Sequence, residues 1–331
     1  MGFKVTITPS NIEFNAEAED FILDAALAAK VNFPHGCKNG ACAACKCKIT
    51  SGEISLAEYN KAVLTDEEIA EGYTLLCKSH AESDIIIDLP GFVNGFPIRT
   101  LPAKIEAIDK IGTVAILKLK LPANQQFNFY AGQYIDIMYN GKNRSYSLAN
   151  SPSESGGVEL HIRFRPGGAF SEAVWNELKV GQILRFTGPL GSFTLKNSDK
   201  KIMMVCTGTG FAPIKSILEY MVATNNQRPI ELIWGNYTAE DFYHTEFLEK
   251  WAKELNFTAK LCINEGNHSE YYTGMVTDYI VENFTDLSDY EIYACGNVAM
   301  IENLYVVARS QLQLGKTDFY SDAFTPSPDS I

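Results

Sequence analysis

The chain has 331 residues, 46% of them hydrophobic and 21% charged, the proportions of a globular rather than a disordered protein. Domains of about 100–150 residues would make two or three of it, and no run approaches the about 18 apolar residues of a membrane-spanning helix. Set against 40 acidic side chains, the 28 basic ones leave a net charge of −12, which argues against nucleic acid as a partner.

That charge is unevenly spread: −7 over residues 1–90, +5 over 91–196 and −10 over 197–331. A basic stretch between two acidic ones suggests three modules, the middle one suited to an anionic ligand. Eight cysteines occur, five of them between positions 37 and 77. The opening Met1-Gly2-Phe3-Lys4-Val5 lacks the charged-then-apolar pattern of a secretory signal, so the expected location is cytoplasmic. Clustered thiols in that setting point to metal or redox chemistry rather than disulfides.

In chain order, Phe3–Thr8 and Ile12–Asn15 read as a hairpin and Ile22–Ala29 as a short helix. Next comes Gly36-Cys37-Lys38-Asn39-Gly40-Ala41-Cys42-Ala43-Ala44-Cys45, a C-x4-C-x2-C loop, followed after 31 intervening residues by Cys77. This is the plant-type [2Fe–2S] spacing, with Cys37, Cys42, Cys45 and Cys77 as ligands. Backbone N–H groups must point at the sulfurs, which favours the small residues found here. Structural zinc would call for paired CxxC motifs or a His pair, neither of which is present. Cys47 fits no ligand slot, and His35 and His80 flank the loop without ligand spacing. With strands at Lys46–Thr50 and Ile85–Asp88, residues 1–90 resemble the plant-type ferredoxin domain. One departure is Ala43, where that family usually has Gly directly after the second ligand.

A Pro/Gly-rich stretch, 91–100, reads as a linker. Strands at Thr113–Leu119, Gln133–Tyr139 and Val158–Phe164 then suggest a β-barrel. It carries Arg144-Ser145-Tyr146-Ser147 and Arg163-Phe164-Arg165-Pro166-Gly167-Gly168-Ala169-Phe170-Ser171. The Gly-Gly pair before a helix at Phe170–Leu178 is an arrangement that favours phosphate. From residue 200 strand alternates with helix: strands at Lys201–Cys206, Ile230–Trp234, Thr258–Ile263 and Glu291–Ala294, helices at Phe211–Ala223, 244–255 and 275–282. That is the pattern of a doubly wound parallel sheet. Its first turn, Thr207-Gly208-Thr209-Gly210-Phe211-Ala212-Pro213, sets small residues at a helix N-terminus, with Pro213 in the first helical turn.

In this order and spacing the motifs resemble the ferredoxin–NADP reductase superfamily. The resemblance implies a multidomain protein: an α+β plant-type ferredoxin β-grasp domain (1–90), a linker (91–100), an FAD-binding β-barrel (101–197) and an α/β NAD(P)H-binding domain (198–331). It implies that Arg144 pairs with the flavin phosphate, Tyr146 stacks on the flavin ring and Ser147 bonds near its N5. Ser145, Arg163, Gly167, Gly168 and Ser171 would complete the flavin site, the last three at the pyrophosphate. Thr207, Gly208, Thr209, Gly210 and Pro213 would take the nicotinamide nucleotide, with Cys295-Gly296 at the hydride-transfer point. Asp322 and Phe324 would be the acid and the covering aromatic of the C-terminal segment, although seven residues follow Phe324.

FAD rather than FMN follows from the module order by family analogy. NADH is favoured over NADPH because Ile263-Asn264 and Asn236-Tyr237 stand where relatives carry a cation for the 2′-phosphate. The implied route runs from NADH through FAD to the cluster and out to a partner protein docking near the acidic ferredoxin domain. The chain is similar to CDP-6-deoxy-glucoseen reductases, which serve a deoxysugar dehydrase, and to the reductase components of oxygenases. The wider use of the architecture favours an oxygenase component as partner. A sensing or structural electron-transfer subunit without NADH turnover is a third reading, opposed by the intact flavin and nicotinamide motifs.

Overall fold

The computed structural model describes residues 2–90, 92, 94–154, 156–266 and 269–324. Three sheets follow one another along the chain. The first is built from β1 (Gly2–Thr8), β2 (Ile12–Glu17), β3 (Lys46–Ser51), β5 (Tyr73–Leu75) and β7 (Ile85–Asp88), in the order β2-β1-β7-β3-β5; β4 (Ile54–Leu56) and β6 (Ser79–Ala81) pair separately. The parallel β1–β7 pair at its centre, crossed by helix α1 (Ile22–Ala28), is the β-grasp arrangement. Alternation in β1 sends Val5 and Ile7 inward, where they meet Leu23, Ala26 and Leu75. Helix α2 (Asp66–Ala70) is started by a Thr65–Glu68 capping box.

The second sheet is antiparallel: β8 (Arg99–Ile111), β9 (Val114–Lys120), β10 (Tyr134–Tyr139), β11 (Lys142–Ser147), β12 (Gly157–Arg163) and β13 (Ile183–Leu190). Its order is β11-β10-β13-β8-β9-β12, and a Leu148–Leu160 bridge brings the two edges together, so the sheet closes as a barrel. Helix α3 (Ala169–Asn176) packs Phe170 and Val174 into the barrel core. Strand β8 begins at Arg99, inside the stretch expected to be linker. That stretch is also not free of the first sheet: Phe92 packs on Phe33, and the Asn94 amide bonds Lys30 and Asn32. Pro and Gly marked a change of direction there rather than a loose connection. Gly91 and Val93 lie outside the described residues.

The third sheet is wholly parallel, in the order β17-β16-β15-β14-β18-β19. Its strands are β14 (Lys201–Thr207), β15 (Ile230–Asn236), β16 (Phe257–Ile263), β17 (Tyr272–Thr273), β18 (Tyr290–Asn297) and β19 (Phe319–Phe324). Helices α4 (Phe211–Ala223), α5 (Glu246–Glu254), α6 (Val276–Asn283) and α7 (Val298–Ser310) connect them. Strand β14 is buried along most of its length, as a strand covered on both faces must be. The order of β14, with β15 on one side and β18 on the other, puts a switch point at its C-terminal end.

Candidate functional site

A cavity of about 370 Å³ lies where the three modules meet. The barrel contributes Arg144, Ser145, Tyr146 and Ser147 from β11, together with Arg163, Gly168 and Ser171. The cluster loop contributes Gly36, Cys37 and Lys38; the parallel sheet contributes Thr209, Asp322 and Phe324. Tyr146 is half-buried against Phe170, at 5.4 Å between ring centres, and desolvation pushes its phenol up to about 12. Neutral and tilted 46° against Phe170, it lines the cavity with an aromatic surface suited to a flat ring.

The cysteine loop is arranged around its sulfurs. The amide of Cys37 donates to Cys42 Sγ at 3.3 Å, and the amides of Asn39 and Ala41 donate to Cys37 Sγ at 3.4 and 3.3 Å. Among the described residues, no three His, Cys, Asp or Glu side chains gather round one ion position. The thiols form two pairs instead, Cys37 with Cys42 and Cys45 with Cys77. Within each pair a hydrogen bond lowers the pKa of one member, Cys37 or Cys77, and raises that of the other. Two thiol pairs, three of the sulfurs from the loop and the fourth from the Leu76–Lys78 turn, suit a cluster of two irons better than a single ion.

Two further donors await an acceptor. Arg163 reaches from β12 to Asn236 of β15, with its NH2 group 3.1 Å from Oδ1, and its guanidinium lies against Gly208. Among the described residues Arg163 Nε and Asn236 Nδ2 are buried without a hydrogen-bond partner, while Asp241 stands 3.7 Å from another nitrogen of the same guanidinium. Side by side at the end of β14, they fit an anionic or carbonyl group of a nucleotide. The Gly167-Gly168 turn is more self-contained than expected. Glu172 takes the Gly167 amide at 2.8 Å, and Ser171 Oγ bonds Arg165 and Gly168.

Three stretches of the chain match known families: a 2Fe-2S iron-sulfur cluster binding domain over 5–82, an oxidoreductase FAD-binding domain over 102–195 and an oxidoreductase NAD-binding domain over 204–305. A CDP-6-deoxy-L-threo-D-glycero-4-hexulose-3-dehydrase reductase of Yersinia pestis is 38% identical, with 99% of this chain and 100% of that one covered. The chain belongs to the three-module iron–sulfur flavoprotein reductases. The reductase component of propane 2-monooxygenase from Mycolicibacterium smegmatis is 36% identical, with 97% of each chain covered. Among solved structures, a cytochrome P450 reductase from Amycolatopsis superposes with a TM-score of 0.75 at 27% identity, covering 98% of this chain and 99% of that one.

In this reductase Ser147 and Asp322 meet, Oγ donating to Oδ2 at 3.4 Å. Burial pushes the Asp322 carboxyl up to about 7, the Ser147 bond opposing and the nearby Cys37 adding to the rise. Cys295, expected at the hydride-transfer point, is not brought to the cavity. It is fully buried, in a core with Cys206, Phe211 and Trp234. Burial, with the charge of Asp322, pushes its thiol well up. Place in the sheet explains the difference: Cys295 on the interior strand β18 is flanked by Cys206 on one side and Asp322 on the other, whereas Asp322 lies on the edge strand β19 and reaches the cavity. Thr207, Gly208, Gly210, Pro213 and Gly296 do not line the cavity either, and Gly210 and Gly296 make the close approach of turn and strand possible. A Cβ on Gly210 would strike the Cys295 carbonyl, and one on Gly296 would strike Thr207.

Sequence reasoning passed over two contributors. His35 joins cluster loop to barrel: Nδ1 donates to the Phe33 carbonyl at 2.6 Å and Nε2 accepts from Tyr134 OH at 2.8 Å. Burial, with the charge of Lys38, lowers its pKa to about 4, which keeps this neutral arrangement. His161, also on the cavity wall, donates from Nε2 to Glu159 at 3.1 Å and accepts from Tyr243 OH at 3.0 Å. Neither lies in a motif, since each is placed by partners from another module. The segment after Phe324 lies outside the described residues.

Proposed function

We propose that this chain is an NADH-dependent electron-transfer reductase in which electrons pass from NADH through FAD and a [2Fe–2S] cluster to a partner protein. One observation carries the reading: the Cys37 loop, the Arg144–Ser147 strand, and Thr209 with Asp322 line a single cavity, so the three chemistries share one wall. A flavin supplies the step the others lack, because it accepts a hydride and releases electrons singly. The chain's own work is placement. Arg144 would hold the flavin phosphate, Tyr146 the ring, and Ser147 with Asp322 the polar edge. Arg163, Asn236 and the Thr207–Gly210 turn would seat the nicotinamide nucleotide, with Phe324 covering the ring when that site is empty. Cys37, Cys42 and Cys45 of the loop, with Cys77, would hold the cluster. Glu265, bonded to Tyr237 after β15, adds a carboxylate beside one of the positions where relatives carry a cation for the 2′-phosphate, which supports NADH over NADPH.

The first candidate for the partner is an oxygenase component, in line with the propane 2-monooxygenase relative. A deoxysugar dehydrase is the second reading, favoured by 38% identity over the whole length of the Yersinia protein. In either case the partner docks on the ferredoxin module, whose net charge of −7 suits a basic surface, in the cytoplasm where thiol ligands stay reduced.

Anaerobic NADH should bleach flavin and cluster absorption together. A colourless protein, or one that does not respond to NADH, refutes the proposal. Cys77→Ser should depress cytochrome c reduction far more than ferricyanide reduction, which flavin alone supports. Mixing the reductase and NADH with each candidate partner, at rising salt, identifies the acceptor by turnover and the docking charge by its salt dependence.

A further inference from the structure

We infer that Ser321 is a positioning residue for the iron–sulfur cluster, making the C-terminal edge strand β19 part of the cluster's seat. This rests on the reading of Cys37, Cys42, Cys45 and Cys77 as cluster ligands. Strand β19 belongs to the nicotinamide module, yet consecutive residues on it serve two other modules. Ser321 Oγ donates to the Cys42 carbonyl at 2.8 Å, while Asp322 accepts from Ser147 of the barrel. Both side chains are buried, on opposite faces of the strand. The Ser321 carbonyl is seated against Gly36, where a Cβ would lie a tight 3.2 Å from it.

The bond matters because of which carbonyl it takes. The Cys42 carbonyl belongs to the peptide that leads into Ala43, and Ala43 has φ +57, the left-handed region that favours glycine. Ala43 therefore keeps a strained conformation, and the Ser321 hydroxyl fixes the peptide plane on its N-terminal side. Immediately beyond, the Ala44 amide donates to the Cys42 sulfur. A hydroxyl from a distant module thus holds the turn that aims an N–H at a ligand sulfur. Hydrogen bonds to ligand sulfurs tune a cluster's potential, and a carbonyl left without its buried donor lets the turn move.

The test uses the full-length holoprotein, read by EPR of the dithionite-reduced cluster and by redox titration. Ser321→Ala should change the g-values or broaden the signal and move the cluster midpoint to more negative potential. Ser321→Thr, which keeps the hydroxyl, should restore the wild-type signal. Alanine and wild type giving the same spectrum and midpoint overturns the proposal. So does an equal change in both variants, because packing and not the hydroxyl would then be responsible. If Ser321→Ala fails to fold, a threonine variant that folds with the wild-type signal supports the role, and one that also fails to fold overturns it. Wild-type protein lacking a [2Fe–2S] signal would instead refute the ligand assignment, a separate result.

Discussion

Gly210 offers a sharp test of how the nicotinamide turn is built. Its φ of −56 and ψ of −14 are open to any residue, so alanine carries no conformational penalty there. By unfolded-state entropy alone, Gly210→Ala should stabilise by about 0.4–1 kcal/mol. Sterically the substitution fails: a Cβ would overlap the Cys295 carbonyl oxygen and lie 2.7 Å from its carbon and 3.0 Å from the Gly296 nitrogen. That carbon is about 1 Å inside an ordinary carbon–carbon contact, and all three atoms are backbone, so no side chain can swing aside. Overpacking of this kind costs about 1–3 kcal/mol, which outweighs the entropic gain. The turn should also move away from β18, carrying Thr209 with it. Thermal melts of the holoprotein should show the nicotinamide module unfolding earlier, and NADH should bind more weakly while flavin content stays near one per chain. An alanine variant as stable as wild type, with unchanged affinity for NADH, would falsify the close apposition of turn and strand on which the site depends.

Three other expectations can be checked directly. His161 has its pKa lowered from 6.5 to about 4, chiefly by burial, with the Glu159 bond opposing. The folded state therefore refuses a proton that the unfolded chain accepts. Stability from this group is complete above pH 6.5, declines as pH falls from 6.5 to 4 and is level below, a loss of at most about 3 kcal/mol. Denaturant melts across that range should be shallower for His161→Gln, and an unchanged slope refutes the assignment. Ala43→Gly should relieve the left-handed strain, adding about 1 kcal/mol or less to the resistance of the cluster loop to chelators. Faster cluster loss in that variant would count against the strain. Glu291, paired with Arg228 at 2.7 Å and almost fully buried, should cost about 3–5 kcal/mol when replaced by Ala. The double replacement Arg228→Met with Glu291→Leu should cost much less in the same urea melts, and equal losses would show that packing rather than the stranded charge sets the penalty.

Much of the fold was legible because local pattern and tertiary demand agree. Helix α4 was predicted over the residues it occupies, 211–223, since a buried strand, a small-residue turn and an apolar helix follow without interruption. Helix α7 was not foreseen, because no turn residues separate it from β18. Asn297 ends the strand and itself caps the helix by accepting the Ala299 amide. The signal that would have revealed it is that Asn together with Ile301, Leu304, Tyr305 and Ala308 at helical spacing. Strand β19 was read only as a terminal motif, since Phe-Tyr-Ser-Asp-Ala-Phe has no apolar–polar alternation to mark a strand until its neighbour β18 is in place.

The sequence by itself determined the chemistry. Ligand spacing is a local property of one loop, and the Arg-x-Tyr-Ser and Gly-Thr-Gly motifs each lie within a single strand or turn. Only the tertiary structure decided which of these groups share a cavity and which do not line it. It set Asp322 rather than Cys295 in the cavity, and it made His35 and Ser321 parts of a joint between modules. Such contacts link positions up to 279 residues apart. No local periodicity encodes them, because each depends on strand register and on how one packed core rests against another.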